Sequence, residues 1–170
     1  MASQAAAVRK TVTVLFCDLT GSTALGERLD PEALRGLLGR WYEEMRAPIE
    51  RHGGLVEKFI GDAVMAVFGV PHVHEDDALR AVRAAVEMRE ALAAMNAELD
   101  AGLEIRIGVN SGEVVTGDAR TTLVTGDAVN TAKRLEEAAA GGEILISDAT
   151  RHLVENAARL EPAGPISAKG

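Results

Sequence analysis

The chain has 170 residues, 47% hydrophobic and 26% charged, with a formal net charge of −8. That supplies one ordinary globular core and excludes a disordered or collagen-like chain. The acidic balance and only 3% aromatics argue against non-specific nucleic-acid binding, and the single cysteine, Cys17, excludes a disulfide framework or a zinc site built mainly from thiolates.

Residues 1–10 read as a polar lead-in without the apolar stretch of a signal peptide. The longest uncharged run, 63–74, has 12 residues, too short to cross a bilayer, so a cytoplasmic protein is expected. Residues 11–17 (TVTVLFC) are β-branched and apolar and predict a buried strand, in which Cys17 is a small apolar residue. A loop is expected over 18–23 (DLTGST). Asp30-Pro31 gives an N-cap followed by proline at the first helical position. Leu34, Leu38, Trp41, Met45 and Ile49 follow at helical spacing; Pro48 should bend or end this helix near its last turn, and Gly53-Gly54 stop it. Residues 55–60 and 63–68 are two apolar runs joined by the hairpin turn Gly61-Asp62.

A second long helix is expected from near His74, with acids in its first turn and an amphipathic stripe Ala81, Ala85, Met88, Leu92, Met95, Leu99. Residues 103–110 and 113–116 read as two strands joined at Ser111-Gly112. A helix over 127–139 ends at Gly141-Gly142, a strand covers 143–147, and a short helix capped by Asp148 covers 148–156. The order β-α-β-β-α-β-β-α-β-α predicts an α+β domain, a mostly antiparallel sheet with helices packed on it.

Asp18 ends a buried strand and Asp62 tips an apolar hairpin. Carboxylates at a core rim are costly unpaired, and a divalent cation removes the cost. Two carboxylates plus substrate phosphates are the usual Mg²⁺ arrangement. Each aspartate alone could equally be a turn or cap residue. Gly21 and the small hydroxyl residues after Asp18 could present backbone N–H groups to phosphate. Asn130 and Arg134, four apart, share a helix face suited to an anionic oxygen. Lys58 could snorkel from its apolar run or contact a ligand. The cluster His72, His74, Asp76, Asp77 reads better as a loop and helix start than as a metal site, and His52 and His152 read as structural. Neither a Walker lysine loop nor a dinucleotide glycine loop is present.

Three segments, 14–23 (VLFCDLTGST), 57–69 (EKFIGDAVMAVFG) and 126–135 (GDAVNTAKRL), together resemble the catalytic domain of bacterial class III adenylate/guanylate cyclases, in order and spacing across about residues 11–170. The resemblance implies a ferredoxin-like core with added elements. It implies a nucleotidyl cyclase that converts ATP to 3′,5′-cyclic AMP and pyrophosphate with two divalent cations, Mg²⁺ or Mn²⁺. Asp18 and Asp62 would bind the metals, Leu19, Thr20, Gly21, Ser22 and Thr23 would hold the triphosphate, Lys58 would read the purine, and Asn130 and Arg134 would stabilise the transition state. The sites would lie at a two-fold homodimer interface, one chain giving the aspartates and the other Lys58, Asn130 and Arg134. Fused regulatory or ATPase domains are expected.

Three positions depart from the family pattern. Leu123 stands where a polar purine reader is usual, so relaxed ATP/GTP selectivity is expected, unless Thr122 or Thr125 substitutes. Glu113 stands where some members are basic. The sequence stops at Lys169-Gly170, where relatives continue into a last strand, which suggests a truncated piece of a longer protein. The alternative reading is a weakly active or inactive nucleotide-binding domain that signals by dimerising. A polymerase-palm-type transferase fits less well, given the acidic balance and few aromatics.

Overall fold

A computed structural model describes residues 8–116 and 126–166. Its elements are β1 (Val8–Thr20), α1 (Ser22–Arg28), α2 (Pro31–Arg51), β2 (Leu55–Ile60), β3 (Ala63–Phe68), α3 (Asp77–Leu99), β4 (Glu104–Thr116), α4 (Asp127–Ala138), β5 (Ile144–Ile146) and α5 (Asp148–Val154). The five strands lie in the order β2-β3-β1-β4-β5. Among the described residues, only β5 runs parallel to its neighbour, β4; the other pairings are antiparallel. This is the expected α+β architecture, a mostly antiparallel sheet with packed helices.

Alternation along β1 sends its residues to two different layers. Leu15, Cys17 and Leu19 pack with Val64, Ala66, Phe68, Ile105, Ile107 and Val109 beneath Trp41, Met45 and Ile49 of α2 and Met88, Leu92 and Met95 of α3. Val12, Val14 and Phe16 point the other way, with Met65 and Val67, onto Ala128 and Ala132 of α4. Asp18 follows Phe16 at the same parity, so it lies on the α4 side of the sheet.

Several boundaries differ from the sequence reading. The loop expected over 18–23 is shorter: β1 runs to Thr20, Gly21 turns the chain at φ +86, and α1 begins at Ser22. That positive φ is the reason a glycine stands there. Helix α2 is capped by the Asp30 carboxylate, which accepts from Ala33 N at 2.8 Å, and it continues past Pro48 to Arg51. Helix α3 starts at Asp77 rather than near His74. The buried Asp77 carboxylate instead ties down the preceding loop, accepting from His74 N at 2.7 Å.

Residues 104–116 form one strand, not two, because Ser111-Gly112 serves packing rather than a turn. The buried Ser111 hydroxyl sits between those of Thr13, at 2.9 Å, and Thr150, at 3.0 Å. At Gly112 a Cβ would come within 3.1 Å of the Ala128 Cβ, so the missing side chain makes room for α4. Helix α5 is capped by Ser147, whose hydroxyl accepts from Thr150 N, and not by Asp148.

Candidate active site

The turn between β2 and β3 and the end of β1 bring the two aspartates to one corner. Asp18 sits opposite Ala63 in the β1–β3 ladder, and Leu19 N donates to the Asp62 carbonyl at 2.9 Å. Ser22, the first residue of α1, donates its hydroxyl to Asp62 Oδ2 at 2.7 Å. Burial, and then the charge of Asp62, push the Tyr42 hydroxyl pKa up. Among the described residues no group of three or more His, Cys, Asp or Glu could hold a metal; the corner offers a carboxylate pair.

The residues after Asp18 take different paths. The Leu19 side chain is in the core, and the Thr20 hydroxyl donates to the Glu104 carbonyl at 3.1 Å. Gly21 and Thr23 are exposed beside the half-buried Ser22. Lys58 is exposed on edge strand β2, opposite Met65 and next to the register shift after Val56. Met65 packs on the α4 side of the sheet, so Lys58 shares that side with Asp18.

Asn130 and Arg134 are one turn apart and exposed. The buried stripe of α4 is Ala128, Ala132, Leu135 and Glu136, which turns Asn130 and Arg134 away from the sheet and from Asp18. One chain therefore does not bring the aspartates and the Asn130–Arg134 pair together. Leu123, Thr122, Thr125 and Lys169 lie outside the described residues.

Sequence reasoning missed three charged residues behind Asp18. Arg106, opposite Asp18 in the β1–β4 ladder, donates through Nη2 to Asp18 Oδ2 at 2.6 Å and to the Glu137 carbonyl through Nη1 at 3.4 Å. The same Nη2 lies 3.2 Å from Oε1 of Glu136, which is 0% exposed. Lys133 Nζ donates to the other Glu136 oxygen at 2.7 Å and lies 5.7 Å from the Phe16 ring centroid. The Asp18 hydrogen bond raises the Arg106 pKa, while burial outweighs Lys133 and raises that of Glu136. Burial also pushes the Cys17 thiol well up, as suits a core residue. The missed signal was an acid at Glu136, four residues after Ala132 on the apolar stripe, facing a strand with an arginine at 106.

Comparison with known proteins gives the chain a family. The model of the adenylate and guanylate cyclase catalytic domain matches residues 5–170. An adenylate cyclase of Anabaena cylindrica is 34% identical over 144 residues, covering 77% of this chain and 28% of that protein. The crystal structure of the adenylyl cyclase CyaB from P. aeruginosa superposes with a TM-score of 0.92 at 37% identity, covering 97% of this chain and 90% of that one. A guanylyl cyclase domain of the RhoGC fusion protein from Blastocladiella emersonii, solved as a dimer of non-standard arrangement, gives 0.81 at 34% identity over 88% of this chain and 86% of that one. The chain thus spans about a quarter of the length of the curated relatives it matches. With the family model matching residues 5–170 and the fold superposing on a solved adenylyl cyclase at 37% identity, the chain belongs to the adenylate and guanylate cyclase catalytic-domain family.

Proposed function

We propose that the chain is the catalytic unit of a nucleotidyl cyclase that converts ATP to 3′,5′-cyclic AMP and pyrophosphate. The observation that carries this reading is the corner where Asp18 and Asp62 meet, with Asn130 and Arg134 turned outward on α4. The donor set fits divalent cations. Two carboxylates leave most of an octahedral shell to water and phosphate oxygens, and Asp18 already holds a cationic partner, Arg106, at 2.6 Å. Asp18 and Asp62 would hold two ions, Mg²⁺ or Mn²⁺, which when bound supply Lewis acidity to the ribose hydroxyl and the phosphates.

The residues of the chain divide the remaining work. The ribose 3′-OH attacks the α-phosphorus in line, and pyrophosphate leaves. The 19–23 segment, Leu19 to Thr23, holds the triphosphate beside the aspartates. Lys58 donates to a purine acceptor. Asn130 orients the ribose, and the Arg134 guanidinium offsets charge developing on the α-phosphoryl oxygens. Because α4 points Asn130 and Arg134 away from their own aspartates, the partners come from a second copy, and a two-fold homodimer holds two shared sites. The short span relative to longer relatives supports a catalytic unit joined to regulatory or ATPase domains, working where ATP is, in the cytoplasm. Among the described residues no helix is long and apolar enough to cross a membrane.

Mixing two inactive variants tests the shared site. Asp62→Asn and Arg134→Ala each damage both sites of a homodimer. A mixed dimer has one doubly damaged site and one intact site. Random pairing makes half the dimers mixed, so cyclic AMP formation with Mn²⁺ and ATP should recover to about one quarter of wild type per chain. A mixture as inactive as its parents, with chain exchange demonstrated, would sink the shared-site reading. Purine choice is a separate matter. Leu123 offers no hydrogen bond, and Lys58 suits adenine N1 or guanine O6, so ATP should be preferred over GTP by about tenfold or less in kcat/KM. A ratio of about a thousand would show that another residue reads the base.

A further inference from the structure

Arg106 Nη2 stands between two carboxylates, 2.6 Å from Asp18 Oδ2 and 3.2 Å from Glu136 Oε1. Only the first contact has hydrogen-bond geometry. Glu136 Oε1 is sealed from solvent and makes no hydrogen bond among the described residues, and the same holds for Arg106 Nε. An unsatisfied buried acceptor and an unsatisfied buried donor thus sit on two side chains already in contact. Each is costly by itself, and one movement of the guanidinium toward Glu136 would satisfy both. Lys133 bonds the other Glu136 oxygen, Oε2, so Oε1 remains the one for Arg106 to take.

We propose that Arg106 is the counter-ion of Asp18 until a divalent cation binds there, and that Glu136 is the carboxylate that then takes Arg106 over. The proposal rests on the reading of Asp18 as a metal carboxylate. A dication at Asp18 repels the guanidinium and competes for the same oxygen. Without Glu136, Arg106 would keep only the neutral Glu137 carbonyl, at 3.4 Å, and water, or stay and oppose the metal. Glu136 removes that opposition and keeps the charge balanced inside the domain. It is a positioning residue, since it acts on the metal through Arg106.

Mn²⁺ binding to the full chain, followed by the EPR signal of unbound Mn²⁺ without nucleotide, tests the exchange, with thermal melts alongside. Asp18→Asn should abolish the binding. Glu136→Gln should raise the Mn²⁺ dissociation constant about tenfold, the difference between a charged and a neutral acceptor for Arg106. Arg106→Gln should lower it, because the competing cation is gone. In the Arg106→Gln background, Glu136→Gln should change it by less than about threefold. An equal effect of Glu136→Gln in both backgrounds would make Glu136 a background charge and overturn the exchange. A Glu136→Gln constant within about twofold of wild type would do the same. If Glu136→Gln does not fold, Glu136→Asp decides: weaker Mn²⁺ binding that disappears in the Arg106→Gln background supports the exchange, and an equal effect in both backgrounds overturns it. Absence of Asp18-dependent Mn²⁺ binding in wild type both without nucleotide and with a non-cyclisable ATP analogue would instead overturn the metal reading on which the exchange rests.

Discussion

The two sides of the sheet bury their contents on different terms. Beneath α2 and α3 the central contacts are apolar, from Leu15 and Phe68 to Met45, Ile49, Met88 and Met95. Beneath α4 an apolar patch of Val12, Val14 and Phe16 gives way, one strand step later, to Asp18, Arg106, Glu136 and Lys133. The first side can be repacked with other apolar side chains of similar volume. The second does not tolerate loss of a single member, because truncating one strands a charge on another. On the proposed reading, the α2–α3 side holds the sheet together and the α4 side aims charged groups.

The sharpest break of this comparison is a pair of alanines. At Gly108 of β4 a Cβ would lie 2.3 Å from Glu136 N and 2.4 Å from the Ala132 carbonyl, so Gly108→Ala must push α4 off the sheet. The helix that moves is the one that carries Asn130, Arg134 and Glu136. Stability should fall by about 1–3 kcal/mol. Cyclase turnover per folded chain should fall about a hundredfold, the effect of misplacing a catalytic group by about an ångström. Met88→Ala on the other side leaves a cavity under a fully buried side chain. It should lose more stability, about 2–5 kcal/mol, yet keep turnover per folded chain within about twofold. Urea unfolding and assays normalised to folded protein compare the two directly. Equal loss of turnover in both variants would erase the functional division between the sides.

What the sequence revealed follows the same division. Periodicity found the apolar side, because Leu38, Trp41, Met45 and Ile49 on one helix and Ala81 to Met95 on another repeat at helical spacing. The sequence also singled out Asp18 and Asp62, but Asp18 lies inside β1, which runs on to Thr20, and not at a strand end; the turn holding Asp62 approaches it through the Leu19 N to Asp62 carbonyl bond. It did not find Arg106 or Glu136, because each looks like an ordinary surface charge until the facing element is known. Their pairing spans 30 positions and depends on α4 lying across β4, a tertiary fact that no local window contains. Ser111-Gly112 failed for the same reason. A turn dipeptide became strand once Thr13 and Thr150 satisfied the hydroxyl and Ala128 filled the space over the glycine. His52, read as a lone structural residue, has a partner 35 positions away in Glu87.

That last pair gives the smallest expected effect and a check on the α2–α3 side. His52, at the end of α2, bonds Glu87 Oε1 of α3 at 2.8 Å, and Arg51 pairs with the other Glu87 oxygen. The His52 hydrogen bond first, and Arg51 after it, hold the Glu87 carboxyl below its ordinary value of 4.5. A depressed folded pKa means stability that is fully present above the unfolded value and lost as pH falls through the folded one. Both partners are partly in water, so the contribution is that of a surface pair. Glu87→Gln should lower the thermal midpoint by about 1–3 °C at pH 7. The gap between variant and wild type should hold down to about pH 5 and close below pH 4.5 as Glu87 protonates. Turnover per folded chain should not change, since neither α2 nor α3 carries Asp18, Asp62, Asn130 or Arg134. A gap that widens on acidification would mean that the Glu87 carboxyl is raised rather than lowered. A variant with normal melting and impaired cyclase turnover would show that this tie between helices reaches the α4 side of the sheet.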